Sequence, residues 1–257
     1  MLPSLDPLLP AVEIAAREAG RAILAVYDTD FSVQHKADAS PVTEADTRAE
    51  ACILPALARL TPGIPIVSEE AASQGPVPAV AERFWLVDPL DGTKEFIARN
   101  GEFTVNIALV VGGRPVLGVV FAPALDRLYA GVVGQGAWLD EAGQQRVIQC
   151  RPVPPQGCTV VASRSHGDAR ALADFLVGQR VAATCSVGSS LKFCQVAAGE
   201  ADLYPRFGPT MAWDTAAGDA VLTAAGGRVC TLDGVPLAYG RAGFLNPPFV
   251  AEGLRPA

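Results

Sequence analysis

The chain has 257 residues, of which 50% are hydrophobic and 18% charged, and its formal net charge is −7. This length and composition allow a substantial core in one sizeable domain or two small ones. The acidic balance excludes a general nucleic-acid-binding surface, which needs a basic stripe. An anionic substrate would therefore have to be met by metal ions or by local cations.

The sequence shows neither a targeting signal nor a paired cysteine motif. The first residues lack a basic stretch followed by a long apolar one, and no apolar run approaches the ~18 residues that span a bilayer. We therefore expect a cytoplasmic protein with no integral membrane segment, and leave peripheral membrane association open, as well as the choice between monomer and homodimer. The six cysteines are scattered without a C-x-x-C pair, which disfavours a zinc site or a disulfide framework.

The N-terminal part reads as two helices and a strand. Apolar residues at helical spacing predict an amphipathic helix from about residue 8 to residue 27. Thr43, with Asp46 three residues on, resembles a capping box and predicts a helix to about Leu60, with Pro55 as a point where it could kink. Residues 64–67 predict a short strand that ends in Ser-Glu-Glu.

Further along, apolar runs in residues 103–139 are broken at Gly112-Gly113 and Ala122-Pro123, which predicts an antiparallel meander. A proline-rich change in composition predicts a domain boundary near residue 150. Strand and helix patterns then alternate over residues 159–162, 168–176, 189–198 and 214–225. The predicted class is α+β, with an antiparallel sheet and helices in residues 1–150 and an α/β part in residues 151–257.

The most informative segment is Asp88-Pro89-Leu90-Asp91-Gly92-Thr93, because it follows the apolar run 84–87 and puts two carboxylates at the end of a buried strand. Proline and glycine here predict that the chain leaves the sheet in a stiff turn. Two such close carboxylates repel unless a cation lies between them. An ordinary turn is the alternative for the hexapeptide alone.

Three other segments also offer carboxylates, at residues 43–46, 68–70 and 213–215. Oxygen ligands from strand ends and helix starts suit Mg²⁺, which keeps several waters. Asp214 on its own could equally be a helix N-cap. Two familiar aspartate motifs are excluded by spacing: an EF-hand would need glutamate where Arg99 stands, and a D-x-D-G-T phosphatase has one residue between its acids instead of two.

Residues 88–93 and 213–217 resemble the two signatures of the inositol monophosphatase superfamily, D-P-[LI]-D-G-[ST] and W-D-x-[AG]-[AG]. The resemblance runs from residues 40–46 through 68–70 to 244–249. It implies the layered α-β-α-β-α fold of these sugar phosphatases. Within the superfamily, residues 91–107, 163–166, 188–194 and 204–210 look like the CysQ-type 3'(2'),5'-bisphosphate nucleotidases.

The resemblance also implies site residues. Two or three Mg²⁺ ions would be held by Glu69, Asp88, the Leu90 carbonyl, Asp91 and Asp214, and Li⁺ would inhibit. The catalytic group would be Asp46, Thr93 and Glu69, with Thr93 and Asp46 orienting a metal-activated water. Substrate would be bound by Gly92, Thr93, His166, Ser189, Lys192, Arg206 and Asp214, the first two cradling phosphate with their backbone amides.

Lys192 is the discriminating position, since inositol phosphatases usually have a small apolar residue there. A lysine in the first turn of a helix opposes the helix dipole unless an anion is present, although a solvated helix residue is the alternative. His166 is likewise either a ligand-binding residue or a hydrogen-bonded loop residue.

The resemblance therefore predicts a Mg²⁺-dependent phosphatase of sulfur metabolism that converts 3'-phosphoadenosine 5'-phosphate to AMP and phosphate. Inositol 1-phosphate or fructose 1,6-bisphosphate could instead be the substrate of the same metal site. A cation-binding protein without turnover is the alternative from another class.

Overall fold

The computed structural model describes residues 5, 7–35, 41–75, 77–164 and 168–254. In these ranges the seven α-helices are α1 (Leu8–Tyr27), α2 (Glu44–Leu60), α3 (Glu69–Gln74), α4 (Thr93–Ile97), α5 (Ala169–Leu176), α6 (Leu191–Ala197) and α7 (Ala212–Ala224). The strands are β1 (Gln34–His35), β2 (Pro41–Val42), β3 (Ile66–Ser68), β4 (Arg83–Asp91), β5 (Thr104–Val111), β6 (Arg114–Ala122), β7 (Arg127–Val132), β8 (Gly136–Glu141), β9 (Gln144–Ile148), β10 (Cys158–Ser163), β11 (Val181–Val187), β12 (Leu203–Arg206), β13 (Arg228–Thr231) and β14 (Phe249–Glu252).

Two sheets organise the fold. The first has seven strands in the order β3-β4-β5-β6-β7-β8-β9, and only its β3/β4 pair is parallel. The predicted meander is therefore confirmed, with Gly112 and Gly113 in the β5–β6 turn. The second sheet has five strands in the order β11-β10-β12-β14-β13, with parallel and antiparallel pairs. A short antiparallel pair, β1 and β2, stands apart.

Alternating side chains put each sheet between helices. Trp85 and Val87 of β4 pack with α1 and α2, whereas Phe84 and Leu86 point to the other face and pack with α6 and α7. The same cluster includes inner side chains of the five-stranded sheet, such as Phe249. Helix α5 packs on the outer face of that sheet. The predicted α-β-α-β-α order is thus confirmed.

The N-terminal helices form as their sequence predicts. Helix α1 buries one apolar face, and α2 begins at a capping box in which the Thr43 hydroxyl accepts from Ala45 N–H and the Asp46 carboxylate accepts from Thr43 N–H at 2.8 Å. Pro55 lies inside α2, which continues to Leu60. The strand predicted over residues 64–67 begins two residues later than expected.

Glycines let α7 approach the seven-stranded sheet closely. A Cβ at Gly118 of β6 would lie 2.3 Å from the carbonyl oxygen of Ala217, and one at Gly131 of β7 would lie 2.8 Å from the Cα of Val221. Because backbone touches backbone here, any side chain would push the helix away. This packing fixes α7 and, at its first turn, Asp214.

The predicted exit from the sheet at Pro89 is wrong. Strand β4 continues to Asp91, with a bulge in which Pro89 and Leu90 stand opposite one residue of β5. Its parallel pairing with β3 ends at Val87, so beyond that point β4 has a partner on one side only. Proline is tolerated there because the bulge removes the need for its missing N–H. The bulge also brings two acids of one strand to the same sheet end.

Residues 149–157 connect the two sheets, where the domain boundary was predicted. Because one hydrophobic cluster includes side chains of both sheets, a division into two domains at this point stays a prediction. Within the described ranges, no helix is both long and apolar enough to cross a bilayer.

Candidate active site

The end of β4 and the starts of α3, α4, α6 and α7 surround a cavity of about 810 Å³. Ten predicted site residues line it: Glu69, Asp88, Leu90, Asp91, Gly92, Thr93, Ser189, Lys192, Arg206 and Asp214. Asp46 lies behind Thr93, and His166 lies outside the described residues. A second cavity, of about 520 Å³, lies between α5 and the outer face of the five-stranded sheet, and none of the described site residues lines it.

Three acids converge at one side of the larger cavity. Glu69, Asp88 and Asp214 each offer a carboxylate oxygen, and these oxygens lie within 4.8 Å of one another. Backbone N–H groups orient two of them: Leu90 N–H donates to Asp88 at 3.0 Å, and Met211 N–H donates to Asp214 at 2.9 Å. Nearby, Ser68 Oγ is buried without a hydrogen-bond partner among the described residues.

Burial makes this cluster costly when its members are ionised. It raises the pKa values of Asp88 and Asp214 well above their usual range, and the neighbouring carboxylates raise them further. Burial also raises the pKa of Asp91 to about 6, although the Lys192 ammonium opposes that shift. Carboxylate oxygens at this spacing fit a hard divalent cation, which removes the repulsion, and Leu90 lines the same cavity.

Thr93, in α4, contacts Asp46, in α2. Thr93 Oγ1 lies 3.5 Å from Asp46 Oδ1 and 3.4 Å from the Leu90 carbonyl oxygen. The other Asp46 oxygen accepts from both the backbone N–H and the hydroxyl of Thr43, at 2.8 and 2.9 Å. The capping box that starts α2 therefore also points Asp46 at Thr93.

Gly92 has a conformation and a setting that favour glycine. Its φ is +91°, and a Cβ would lie 3.1 Å from the carbonyl oxygen of Glu102 and 3.3 Å from the Cβ of Ser189. It immediately precedes the short helix α4. This close approach brings the bulge of β4 against the segment that starts α6.

Lys192 is buried, so the solvated-helix alternative is wrong. Its side chain is 4% exposed, lies 5.3 Å from the ring centroid of Tyr204, and donates to the carbonyl oxygens of Val187, at 3.2 Å, and Ser189. Burial lowers its pKa to about 8, while Asp91 opposes the shift. An ammonium held this way beside a cavity is suited to meet an anion.

Arg206 is the second buried cation of the cavity. It donates to the carbonyl oxygens of Gly208 and Pro209, at 3.2 and 2.9 Å. Ser189, at the start of α6, has a φ of +47°, a conformation uncommon outside glycine that marks a strained segment at the cavity. Two buried cations and the acidic cluster therefore line the same cavity.

Asp214 is not an N-cap. Met211 occupies that position, and Asp214, three residues later, accepts its N–H. Sequence reasoning missed the residue that fixes this segment: the Asn246 amide donates to the Met211 carbonyl at 2.8 Å and to the Thr215 hydroxyl at 3.0 Å.

Sequence reasoning also missed the buried polar residues Thr104, Asn106 and Ser190, which are hydrogen-bonded in series to Asp91. A signal for one of them was present, since an asparagine inside the apolar run of β5 requires hydrogen-bond partners.

Comparison with known proteins gives the family. Residues 4–255 match the inositol monophosphatase family. The chain belongs to the inositol monophosphatase family.

Curated relatives in this family include the 3'(2'),5'-bisphosphate nucleotidase CysQ of Escherichia coli O6:H1, 54% identical over 91% of this chain and 95% of the relative. Another, of Buchnera aphidicola, carries the same name and is 42% identical over 93% and 91%.

Solved structures of the inositol monophosphatase family share the fold. CysQ from Bacteroides thetaiotaomicron has a TM-score of 0.81 and 39% identity, covering 95% of this chain and 96% of its own. Inositol monophosphatase from Anabaena has a TM-score of 0.74 and 25% identity, covering 96% and 90%. Sequence identity is thus higher to the CysQ proteins than to that inositol monophosphatase.

Proposed function

We propose that this protein is a 3'(2'),5'-bisphosphate nucleotidase that removes the 3'-phosphate of 3'-phosphoadenosine 5'-phosphate, giving AMP and phosphate. The observation that carries the proposal is the pair of buried cations, Lys192 and Arg206, in the cavity that also holds the carboxylate cluster. A sugar monophosphate has one phosphate, which the metal site can meet. A bisphosphonucleotide has a second, and buried cations fixed by backbone carbonyls suit it. The name of the 54% identical relative supports the same substrate.

The proposed cofactor is Mg²⁺, as two or three ions held by Glu69, Asp88, the Leu90 carbonyl, Asp91 and Asp214, with Li⁺ as an expected inhibitor. Bound Mg²⁺ supplies charge stabilisation to the phosphoryl oxygens and lowers the pKa of water. Glu69 is proposed to act in catalysis as well as in metal binding, because it lies in the acidic cluster and lines the cavity.

Thr93 is proposed to orient the attacking water. An ionised Asp46 and the Leu90 carbonyl can only accept hydrogen bonds. The single hydrogen of the Thr93 hydroxyl is therefore donated to one of these two oxygens. The hydroxyl oxygen can then accept a hydrogen bond from water in the cavity. The backbone N–H groups of Gly92 and Thr93 are proposed to bind phosphate oxygens, and Ser189, Lys192, Arg206 and His166 the rest of the nucleotide.

Removing the Thr93 hydroxyl should slow the chemical step without removing the metal. For Thr93→Val we expect kcat to fall by about 100-fold, which is at the lower end of the rate contribution of a positioned proton acceptor or donor. The Mg²⁺ activation constant should stay within about threefold of wild type. Thr93→Ser keeps the hydroxyl and should retain most of the activity. Steady-state kinetics at several Mg²⁺ concentrations separates the two effects, and equal loss in both variants would contradict the proposed role.

The substrate proposal is tested by phosphate release from 3'-phosphoadenosine 5'-phosphate, inositol 1-phosphate and fructose 1,6-bisphosphate, with and without Mg²⁺. We expect kcat/KM to favour the bisphosphonucleotide by at least about 100-fold, or ~2.7 kcal/mol of transition-state discrimination. Comparable turnover of a sugar phosphate would overturn the substrate and keep the metal site. Metal-dependent stabilisation without any phosphate release would instead identify a cation-binding protein.

The proposed cellular role is the removal of a bisphosphonucleotide in sulfur metabolism, in the cytoplasm, by a monomer or a homodimer.

A further inference from the structure

A buried chain of polar side chains connects Asp91 to the start of α6. Asn106 Nδ2 lies 3.4 Å from Asp91 Oδ2, Ser190 Oγ lies 2.7 Å from Asn106 Oδ1, and Thr104 Oγ1 lies 2.8 Å from Ser190 Oγ. The side chains of Thr104, Asn106 and Ser190 are at most 2% exposed. Nothing in the proposed reaction uses them directly.

Chemistry fixes the direction of every hydrogen bond in this chain. An ionised carboxylate only accepts, so the Asn106 amide must turn its NH₂ group to Asp91 and its oxygen to Ser190. The Ser190 hydroxyl has one hydrogen, which it donates to that oxygen. Thr104 must then donate to Ser190. The hydrogen bonds run one way, from Thr104 to Asp91, and they leave Asn106 no second orientation that satisfies all partners.

Strand register explains why this series of hydrogen bonds ends at Asp91. Across the β4–β5 pair, Asp88 stands opposite Asn106, and Asp91 stands opposite Thr104 on the far side of the bulge. The bulge therefore puts both acids of β4 beside polar residues of β5. Ser190 closes the arrangement from the N-cap position of α6, whose first turn carries Lys192.

We propose that Asn106 and Ser190 are positioning residues that hold Asp91 in the orientation that binds metal. The inference rests on the proposed metal site and goes beyond it, because neither residue lines the cavity. Residues that orient metal ligands typically contribute about 10- to 100-fold to metal affinity. Ser190 lies one hydrogen bond further from Asp91, because it acts through Asn106. Its loss should therefore reduce metal affinity by less than the loss of Asn106 does.

The test is a titration of the purified protein with Mn²⁺ in the absence of substrate. The electron paramagnetic resonance signal of free Mn²⁺ measures how much of the metal is bound. We expect Asn106→Ala to weaken binding by about 10- to 100-fold and Ser190→Ala by about three- to tenfold, while Ser190→Thr, which keeps the hydroxyl, binds as wild type. The matched control is Thr61→Val. Thr61 is also a buried hydroxyl, bonded to Leu57 and Trp85 away from the cavity, so this variant should lose stability and keep Mn²⁺ affinity.

The outcomes separate the two proposals. If wild type binds Mn²⁺ and both alanine variants bind it within about twofold of wild type, the positioning role is overturned and the metal site stands. If wild type binds no Mn²⁺, the metal site itself is overturned and the positioning role with it. If Asn106→Ala does not fold, the comparison of Ser190→Ala with Ser190→Thr still decides.

Discussion

Replacing Asp88 with asparagine is expected to abolish Mg²⁺-dependent phosphate release and, at the same time, to raise the melting temperature of the metal-free protein. Asp88 is 1% exposed and its oxygens lie among those of Glu69 and Asp214. Without cations, its charge is both desolvated and repelled, so asparagine removes a destabilising group. With cations, the same charge is a ligand that asparagine replaces poorly. We expect activity to fall by at least about 1,000-fold, roughly 4 kcal/mol of transition-state stabilisation.

The stability gain should depend on pH in a defined direction. Because the folded-state pKa of Asp88 is raised well above the unfolded value, folding takes up a proton between the two values, and stability of the metal-free protein falls as pH rises through that window. The difference between Asp88→Asn and wild type should therefore be small near pH 4 and larger at pH 8. Thermal unfolding in a chelator, at both pH values, measures it, and we expect a rise of about 3 to 6 °C at pH 8.

Asp202→Asn is the matched control for this variant. Asp202 is also buried, but it accepts two hydrogen bonds from Arg151, at 2.9 Å each, and one from Thr159 N–H at 2.7 Å. Neutralising it leaves the guanidinium without its charged partner, so this variant should lower the melting temperature. If both variants lowered the melting temperature equally, the ionised carboxylates of the acidic cluster would not destabilise the metal-free protein.

Local sequence patterns predicted those parts of the protein that depend on neighbouring residues. The capping box at Thr43 and Asp46, the apolar face of α1 and the glycine turn of the β5–β6 hairpin each involve residues a few positions apart. Their physical causes, capping hydrogen bonds and side-chain periodicity, can be read from a short window. The two family motifs, 88–93 and 213–217, indicated which distant segments meet.

Features set by long-range packing could not be predicted in this way. Pro89 stays in β4 because β3 ends at Ser68, opposite Val87, and no property of the hexapeptide reports where a neighbouring strand stops. Lys192 is buried because Tyr204 and the carbonyls of Val187 and Ser189 lie around it, although its position in a first helical turn is equally compatible with solvent. Asn106 and Ser190 are 84 positions apart and meet only after both sheets have formed.

Replacing Lys192 with methionine should separate the two phosphates of the proposed substrate. We expect kcat/KM for 3'-phosphoadenosine 5'-phosphate to fall by about 100-fold, or ~2.7 kcal/mol, and that for inositol 1-phosphate, measured at saturating Mg²⁺, to change by less than about threefold. Methionine fills similar space under the Tyr204 ring and removes the charge. Lys94→Met is the matched control, because Lys94 lines the same cavity but is exposed, so solvent weakens its pull on an anion. We expect that variant to lose no more than about fivefold.

The pH profile gives a second readout of the same group. Because burial lowers the pKa of Lys192 to about 8, its ammonium loses its proton as pH rises through that value, while a phosphate monoester, with its second pKa near 6, is fully charged on both sides of it. In wild type, KM for the bisphosphonucleotide should therefore rise between pH 7.5 and pH 9.5, and in Lys192→Met this rise should be absent. Lys192→Arg keeps its charge throughout and should also lack the rise. Equal losses for both substrates in Lys192→Met would mean that the ammonium acts through Asp91 on the metal site. Inositol 1-phosphate has no second phosphate, so the loss of a contact with that phosphate cannot slow its turnover.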